Sequence, residues 1–129
     1  MRPPMKSPHY SLLFDLDGTL SDPLVGIGRS MNYALSHFGY PELPLSELAV
    51  YVGPPLDQSF ASITGVSSSD ALIGMVTKYR ERYGEIGYSE NVLYPDIPQV
   101  LKSLTDAGVR LGVCTSKRAD FAEKILELF

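Results

Sequence analysis

The sequence predicts an α/β chain in which a parallel sheet is interrupted by an all-helical insertion. Two short apolar runs, Tyr10–Phe14 and Val109–Cys114, each end in a polar cluster, as strands of an open α/β sheet do at their ligand-bearing ends. Between residues 23 and 88 the apolar residues recur at helical spacing and no stretch reads as a strand. The chain has 129 residues, 44% hydrophobic and 20% charged, which is the size of one domain and enough apolar mass to fill a core.

After a Pro-rich start, Tyr10–Phe14 reads as a buried strand leading into Asp15-Leu16-Asp17-Gly18-Thr19. Ser21-Asp22-Pro23 is a helix-start signal, a capping side chain before a proline. Ile27, Met31, Ala34, Leu35 and Phe38 form one apolar stripe of the helix that follows, and Gly39 closes it. Two shorter helices, 46–52 and 55–63, are separated by Gly53-Pro54-Pro55. Ser67-Ser68-Ser69-Asp70 caps a longer helix with Leu72, Met75, Val76, Tyr79, Tyr83 and Ile86 on one face. Residues 95–107 form a helix with a stripe of Ile97, Val100, Leu101 and Leu104, ending at Gly108. The strand Val109–Cys114 follows, then Thr115-Ser116-Lys117, then a last helix with Phe121, Ile125 and Leu128 on one face. The boundaries drawn from this pattern are a core of residues 1–22 and 91–129, and a helical segment of residues 23–90.

Composition narrows the function. The 15 Asp and Glu against 11 Lys and Arg give a net charge of −4, which disfavours broad contact with nucleic acid or anionic membranes but leaves room for a small anion held locally. One cysteine, Cys114, makes no internal disulfide and no cysteine-rich zinc site. With no apolar run long enough to span a bilayer or to serve as a signal peptide, the expected location is the cytoplasm.

The chemistry gathers at the two strand ends. Asp15 and Asp17 lie two apart just past a strand, so in extended backbone both carboxylates face one side. Gly18 and Thr19 suit a tight turn whose N–H groups face an anion. A carboxylate attacks phosphorus to give an aspartyl-phosphate and so divides hydrolysis into two displacements. Its repulsion from a phosphate dianion is relieved by Mg²⁺, an oxygen-seeking cation usually held by one or two carboxylates. The second carboxylate then serves as acid and base.

These residues resemble the haloacid dehalogenase superfamily of phosphohydrolases, whose first motif is Asp-x-Asp-x-Thr after the first strand. The resemblance implies that Asp15 is the nucleophile and a magnesium ligand. It makes Asp17 the acid/base and a ligand through its backbone carbonyl. The family's second motif, a Ser or Thr at the tip of the next core strand, is matched by Thr115, with Ser116 beside it in the phosphate site together with Gly18 and Thr19. The implied architecture is a Rossmann-like parallel core, and the helical insertion resembles the family's cap. Asp22-Pro23, Val52-Gly53-Pro54-Pro55-Leu56 and Leu93-Tyr94-Pro95 narrow the likeness to the phosphoglycolate phosphatase and 5′-nucleotidase-like branch. Asp96 departs from it, since relatives usually carry Gly there, and is expected to be a surface residue at a helix start. The third-motif Lys and fourth-motif acidic pair find no match, and Lys117 lies too near the second motif to be taken for that Lys. The expectation is therefore the N-terminal part of a phosphatase, close to inactive alone and prone to self-association through exposed core faces.

Simpler readings stand beside these. Thr115-Ser116-Lys117 is also a plausible cap for the last helix. Gly53-Pro54-Pro55 reads more readily as a turn than as a substrate contact. Arg29, Lys78, Arg80 and Arg82 read as solvated helix faces that are also within reach of a substrate. His9 and His37 lack a ligand set, Cys114 reads as a small core residue, and Tyr79, Tyr83 and Tyr88 read as packing. The expected substrate is a small phosphorylated metabolite, phosphoglycolate or a nucleoside monophosphate. The alternatives are a phospho-accepting receiver-like domain and an inactive pseudoenzyme.

Overall fold

The computed structural model describes residues 11–129; the predicted strand start at Tyr10, the first ten residues of the predicted core and His9 lie outside the described residues. Strand β1 (Ser11–Phe14) pairs in parallel with β4 (Arg110–Val113), Ser11 facing Arg110 and Phe14 facing Val113. The two apolar runs, a hundred residues apart in sequence, are thus neighbours with their carboxyl ends level.

Between them the helices follow their predicted stripes. Helix α1 (Leu24–His37) begins where the Asp22 carboxylate accepts from the Leu24 N–H at 3.0 Å, satisfying one free donor of the first turn. Its stripe of Ile27, Met31, Ala34 and Leu35 is buried, whereas Phe38 sits past the end and is half exposed. A short α2 (Leu45–Leu48) runs into a 3₁₀ turn (Ala49–Tyr51), and α3 (Leu56–Thr64) follows the Gly53-Pro54-Pro55 break. Helix α4 (Ser69–Glu85) is capped by the Ser68 hydroxyl and buries Met75, Tyr79 and Tyr83 against α1 and α3. Each such side chain contributes about 1.5–3 kcal/mol when fully buried. Ile86, counted on that stripe, lies beyond the last helical residue and is exposed.

Two features were not predicted. Ser21–Asp22 (β2) and Val92–Leu93 (β3) form a two-residue antiparallel ribbon where the chain leaves and re-enters the strand-bearing region. The second is a backbone contact between α1 and the 3₁₀ turn Gly87–Glu90: a Cβ on Gly26 would collide with the Gly87 carbonyl. Neither residue tolerates a side chain.

Helix α5 (Ile97–Asp106) packs on β4, and α6 (Ala119–Leu128) buries Phe121, Ala122 and Ile125 while leaving Leu128 exposed. Two readings, the burial of the first strand and of Cys114, are corrected here, and one, the surface position of Asp96 at a helix start, holds. The strand expected to be buried is open, Leu13 being 69% exposed, because β1 and β4 form a sheet of two strands with no further strand laid against them among the described residues. Cys114 is exposed for the same reason, lying one residue past the last paired position of β4. Asp96 is a surface helix-start residue as expected, but at φ 68° it occupies the left-handed region, and among the described residues no other non-glycine does.

Candidate active site

Because β1 and β4 are parallel and in register, the segments after them emerge side by side. A cleft of about 1010 Å³ opens there, walled by Asp15, Asp17 and Gly18 on one side and Thr115, Ser116 and Lys117 on the other, with residues of α3 and α4 above. Of the predicted site residues, Asp15, Asp17, Gly18, Thr115 and Ser116 line the cleft and Thr19 does not.

The turn after Asp15 is wound tightly. Leu16, fully buried, accepts through its carbonyl from the N–H groups of Thr19, Leu20 and Ser21, and Gly18 turns the chain at φ 81°. Here the structure corrects the anion-cradle expectation. The Gly18 N–H donates to the Ser21 carbonyl at 2.9 Å and the Thr19 N–H to Leu16 at 3.3 Å, so both amides are consumed inside the turn. The turn aims the carboxylates instead. One oxygen of Asp15 accepts from the Leu16 N–H at 2.8 Å, which fixes its rotamer while the side chain remains exposed to the cleft.

Thr115 does not cap α6, whose first turn starts after Arg118 with no side-chain cap. Its hydroxyl accepts from the Lys117 N–H at 3.0 Å, which leaves its own O–H to donate into the cleft. Lys117 was missed as a site residue. Its ammonium, on a side chain only 9% exposed, pairs with Asp17 Oδ2 at 2.9 Å and donates to the Tyr83 hydroxyl at 2.7 Å. It also lies 4.7 Å from the centroid of the Tyr83 ring, within cation–π range. The sequence signal was present, a Lys two residues after the second strand-end Thr, but its partner is a hundred residues away. The other oxygen of Asp17, Oδ1, is buried with no hydrogen-bond partner.

The helical arginines separate. Arg29 and Arg82 both bind Glu90, at 2.7 and 2.8 Å, and Lys78 pairs with Glu81. Arg80 lines the cleft. So does the turn Gly53-Pro54-Pro55. Tyr79 and Tyr83 stack at 5.4 Å with Phe60 and Phe121 edge-on at either end, so the packing reading holds for them while their edges border the cleft. Burial raises the Tyr83 phenol above its ordinary range against the opposing charge of Lys117, so it is a neutral hydroxyl at pH 7.

The oxygen donors at the cleft fit a Mg²⁺ ion: Asp15 has one carboxylate oxygen unengaged and exposed to the cleft, beside the backbone of the Asp17 turn. Among the described residues no group of three or more His, Cys, Asp or Glu gathers to hold a metal, the cleft with its two aspartates included. No helix among them is long and apolar enough to cross a membrane.

Comparison with known proteins agrees with this geometry. The chain is 42% identical over 119 residues to a 5′-nucleotidase of Pseudomonas aeruginosa, covering 92% of this chain and 53% of that protein. It is 40% identical over 128 residues to the tyrosine-protein kinase PtkA of Mycobacterium tuberculosis, covering 98% of this chain and 42% of that one. Further relatives carry the name phosphoglycolate phosphatase. Among solved structures, a haloacid dehalogenase-like family hydrolase from Streptococcus pneumoniae superposes with a TM-score of 0.83 at 31% identity, over 92% of this chain and 55% of that one. The chain thus spans about half the length of the relatives it matches. The family model described as haloacid dehalogenase-like hydrolase matches residues 12–129, and the chain belongs to that family.

Proposed function

We propose that the protein hydrolyses phosphate monoesters of small metabolites, phosphoglycolate or a nucleoside 5′-monophosphate, through a phosphoryl group carried on Asp15. The observation that carries this reading is the convergence of Asp15, Asp17, Thr115 and Lys117 in one cleft, with two carboxylates, a free hydroxyl donor and a cation. The relatives named 5′-nucleotidase and phosphoglycolate phosphatase support the substrate class.

In the first step the free oxygen of Asp15 attacks phosphorus as the bond from phosphorus to the ester oxygen breaks, and a proton carried on Asp17 Oδ1, the oxygen not paired with Lys117, passes to the departing alkoxide. In the second, Asp17 takes a proton from water, the water oxygen attacks phosphorus, and the bond to Asp15 breaks to release phosphate. The Thr115 O–H donates to a phosphoryl oxygen throughout. Mg²⁺, held by the Asp15 carboxylate and the Asp17 backbone carbonyl, would neutralise the charge between nucleophile and phosphate. Residues 23–90 act as a cap over a core of 1–22 and 91–129, with Arg80 and the Gly53-Pro54-Pro55 turn facing the organic part of the substrate.

Family membership leaves the receiver-like alternative without support. Likeness to PtkA favours one second reading, in which Asp15 passes the phosphoryl group to a tyrosine hydroxyl in place of water. Phosphate release from a panel of sugar, glycolate and nucleoside phosphates by the full-length protein, with Mg²⁺ and after chelation, is the test. Release from none of these esters overturns the hydrolase reading, and transfer from ATP to a tyrosine peptide without ester hydrolysis would put the second in its place.

A further inference from the structure

Lys117 has three N–H donors, and the structure accounts for two. One meets Asp17, on the turn that carries both carboxylates. The other meets a hydroxyl on α4, the helix that roofs the cleft. Tyr83 is 1% exposed, stacked between Tyr79 and Phe121, and its ring passes close to Gly87, where a Cβ would lie 2.7 Å from the Tyr83 ring. Its position is therefore set by packing, and its hydroxyl is delivered to one place. A phenylalanine would fill the same space and make the same ring contacts, so the oxygen is there for its polar neighbours, the Lys117 ammonium and the buried side chain of Asn91.

We propose that Tyr83 is a positioning residue of the active site: its hydroxyl, fixed on the roofing helix, holds the Lys117 ammonium against Asp17 and aims its third N–H at the substrate phosphoryl group. The roof and the catalytic turn are joined through one cation, so that the phosphate-facing donor is in place when α4 is. Asp17 Oδ1, buried and without a partner, is kept at its place by the same pair. This assignment rests on the hydrolase reading for its kinetic consequences, but the strut exists in the resting protein and is measurable without turnover.

The first arm therefore uses amine acetylation read by mass spectrometry on the chain as it stands, with Lys102, 77% exposed, as internal reference. Lys117 should acetylate at least about tenfold more slowly than Lys102, and Tyr83→Phe should speed Lys117 about tenfold, the worth of one hydrogen bond to a charged group, with Lys102 unchanged. Equal rates for the two lysines, or no change on Tyr83→Phe, would overturn the strut. The second arm is a kinetic cycle in the full-length protein. Lys117→Met should lower kcat about a hundredfold. Tyr83→Phe should lower kcat about fivefold with KM unchanged, and the double variant should match Lys117→Met alone. Multiplying effects, or a change confined to KM, would show Tyr83 acting on substrate by itself and overturn its positioning role. Absence of turnover in the wild-type protein would count against the hydrolase reading while the acetylation arm still decides the strut.

Discussion

Two charged clusters, one fastening the helices of the helical segment to one another and one joining that segment to the strand-bearing one, differ in how completely they are satisfied. In the first, at the foot of the helices, Glu90 gives one oxygen to Arg82 and the other to Arg29, and Arg82 also donates to the Ser30 hydroxyl at 3.1 Å. In the second, at the cleft, Lys117 serves Asp17 and Tyr83 but Asp17 Oδ1 has no partner, and Asp15 keeps a free oxygen. Buried polar groups are almost always paired, so a closed network is the signature of a fastening and an open one marks a site where something else is to bind. The two clusters use the same residue types for different ends.

The largest expected effect breaks the cleft cluster and spares the other. Asp15→Asn in the full-length protein replaces the attacking carboxylate by an amide that neither attacks phosphorus nor balances a cation, and kcat should fall by roughly a thousandfold or more. Its denaturant midpoint should stay within about 0.5 kcal/mol of wild type, because Asp15 is exposed and fastens only its own turn. Wild-type kcat in a preparation checked for deamidation would remove Asp15 from the mechanism.

Glu90→Gln is the converse. It leaves Arg82 and Arg29 facing an amide, and stability should fall by about 2 kcal/mol, read from urea unfolding, with kcat changed less than about twofold. The pH dependence has a definite sign. Desolvation pushes the Glu90 carboxyl up, but the hydrogen bonds from Arg82 and Arg29 outweigh it and hold the group below its ordinary value of 4.5. A carboxyl lowered in the folded state stabilises fully above its unfolded pKa and loses that contribution as pH falls through the folded one. The thermal midpoint should therefore decline below about pH 4.5, and the decline should be shallower in Glu90→Gln. Glu81 is lowered too, by Lys78 and Tyr33, but lies at the surface and contributes little. An equal acid limb in both proteins would show that Glu90 is not the fastening.

How far these clusters were readable in the sequence depended on range. Asp15 and Asp17 stood out because strand geometry places both on one side within three residues, and Thr115 because it follows an apolar run. The stripes on α1 and α4 were legible for the same local reason, failing only at Phe38 and Ile86, where the helix had already ended. The β2–β3 ribbon has two residues per strand, too few for any period to show. The Lys117 pair with Asp17 joins residues a hundred apart, and only the parallel register of β1 and β4 brings them together. Glu90 meets Arg29 only because α1 packs on the 3₁₀ turn that carries Glu90, a contact that no local pattern shows. The exposed faces of β1 agree with the expectation of uncovered core faces, whereas Cys114 reads as buried because an apolar run says which residues prefer burial, not whether a neighbour arrives to cover them.

The smallest effect belongs to a residue in neither cluster and serves as the control for both. Asp96 holds φ 68° at the head of α5 with no side-chain cap bond, in a region that costs most residues about 1–2 kcal/mol. Aspartate tolerates it better than most, and a carboxylate at a helix N-terminus recovers about 0.3–1 kcal/mol from the dipole. Alanine has neither compensation, so Asp96→Ala should cost about 1 kcal/mol in urea unfolding. Glycine relieves the strain but loses the charge and adds freedom to the unfolded chain, so Asp96→Gly should lie within about 0.5 kcal/mol of wild type. Neither should alter kcat nor the acid limb of the stability curve, since the residue touches neither Lys117 nor Glu90. A loss in Asp96→Gly as large as in Asp96→Ala would show that the charge, not the backbone, decides this position.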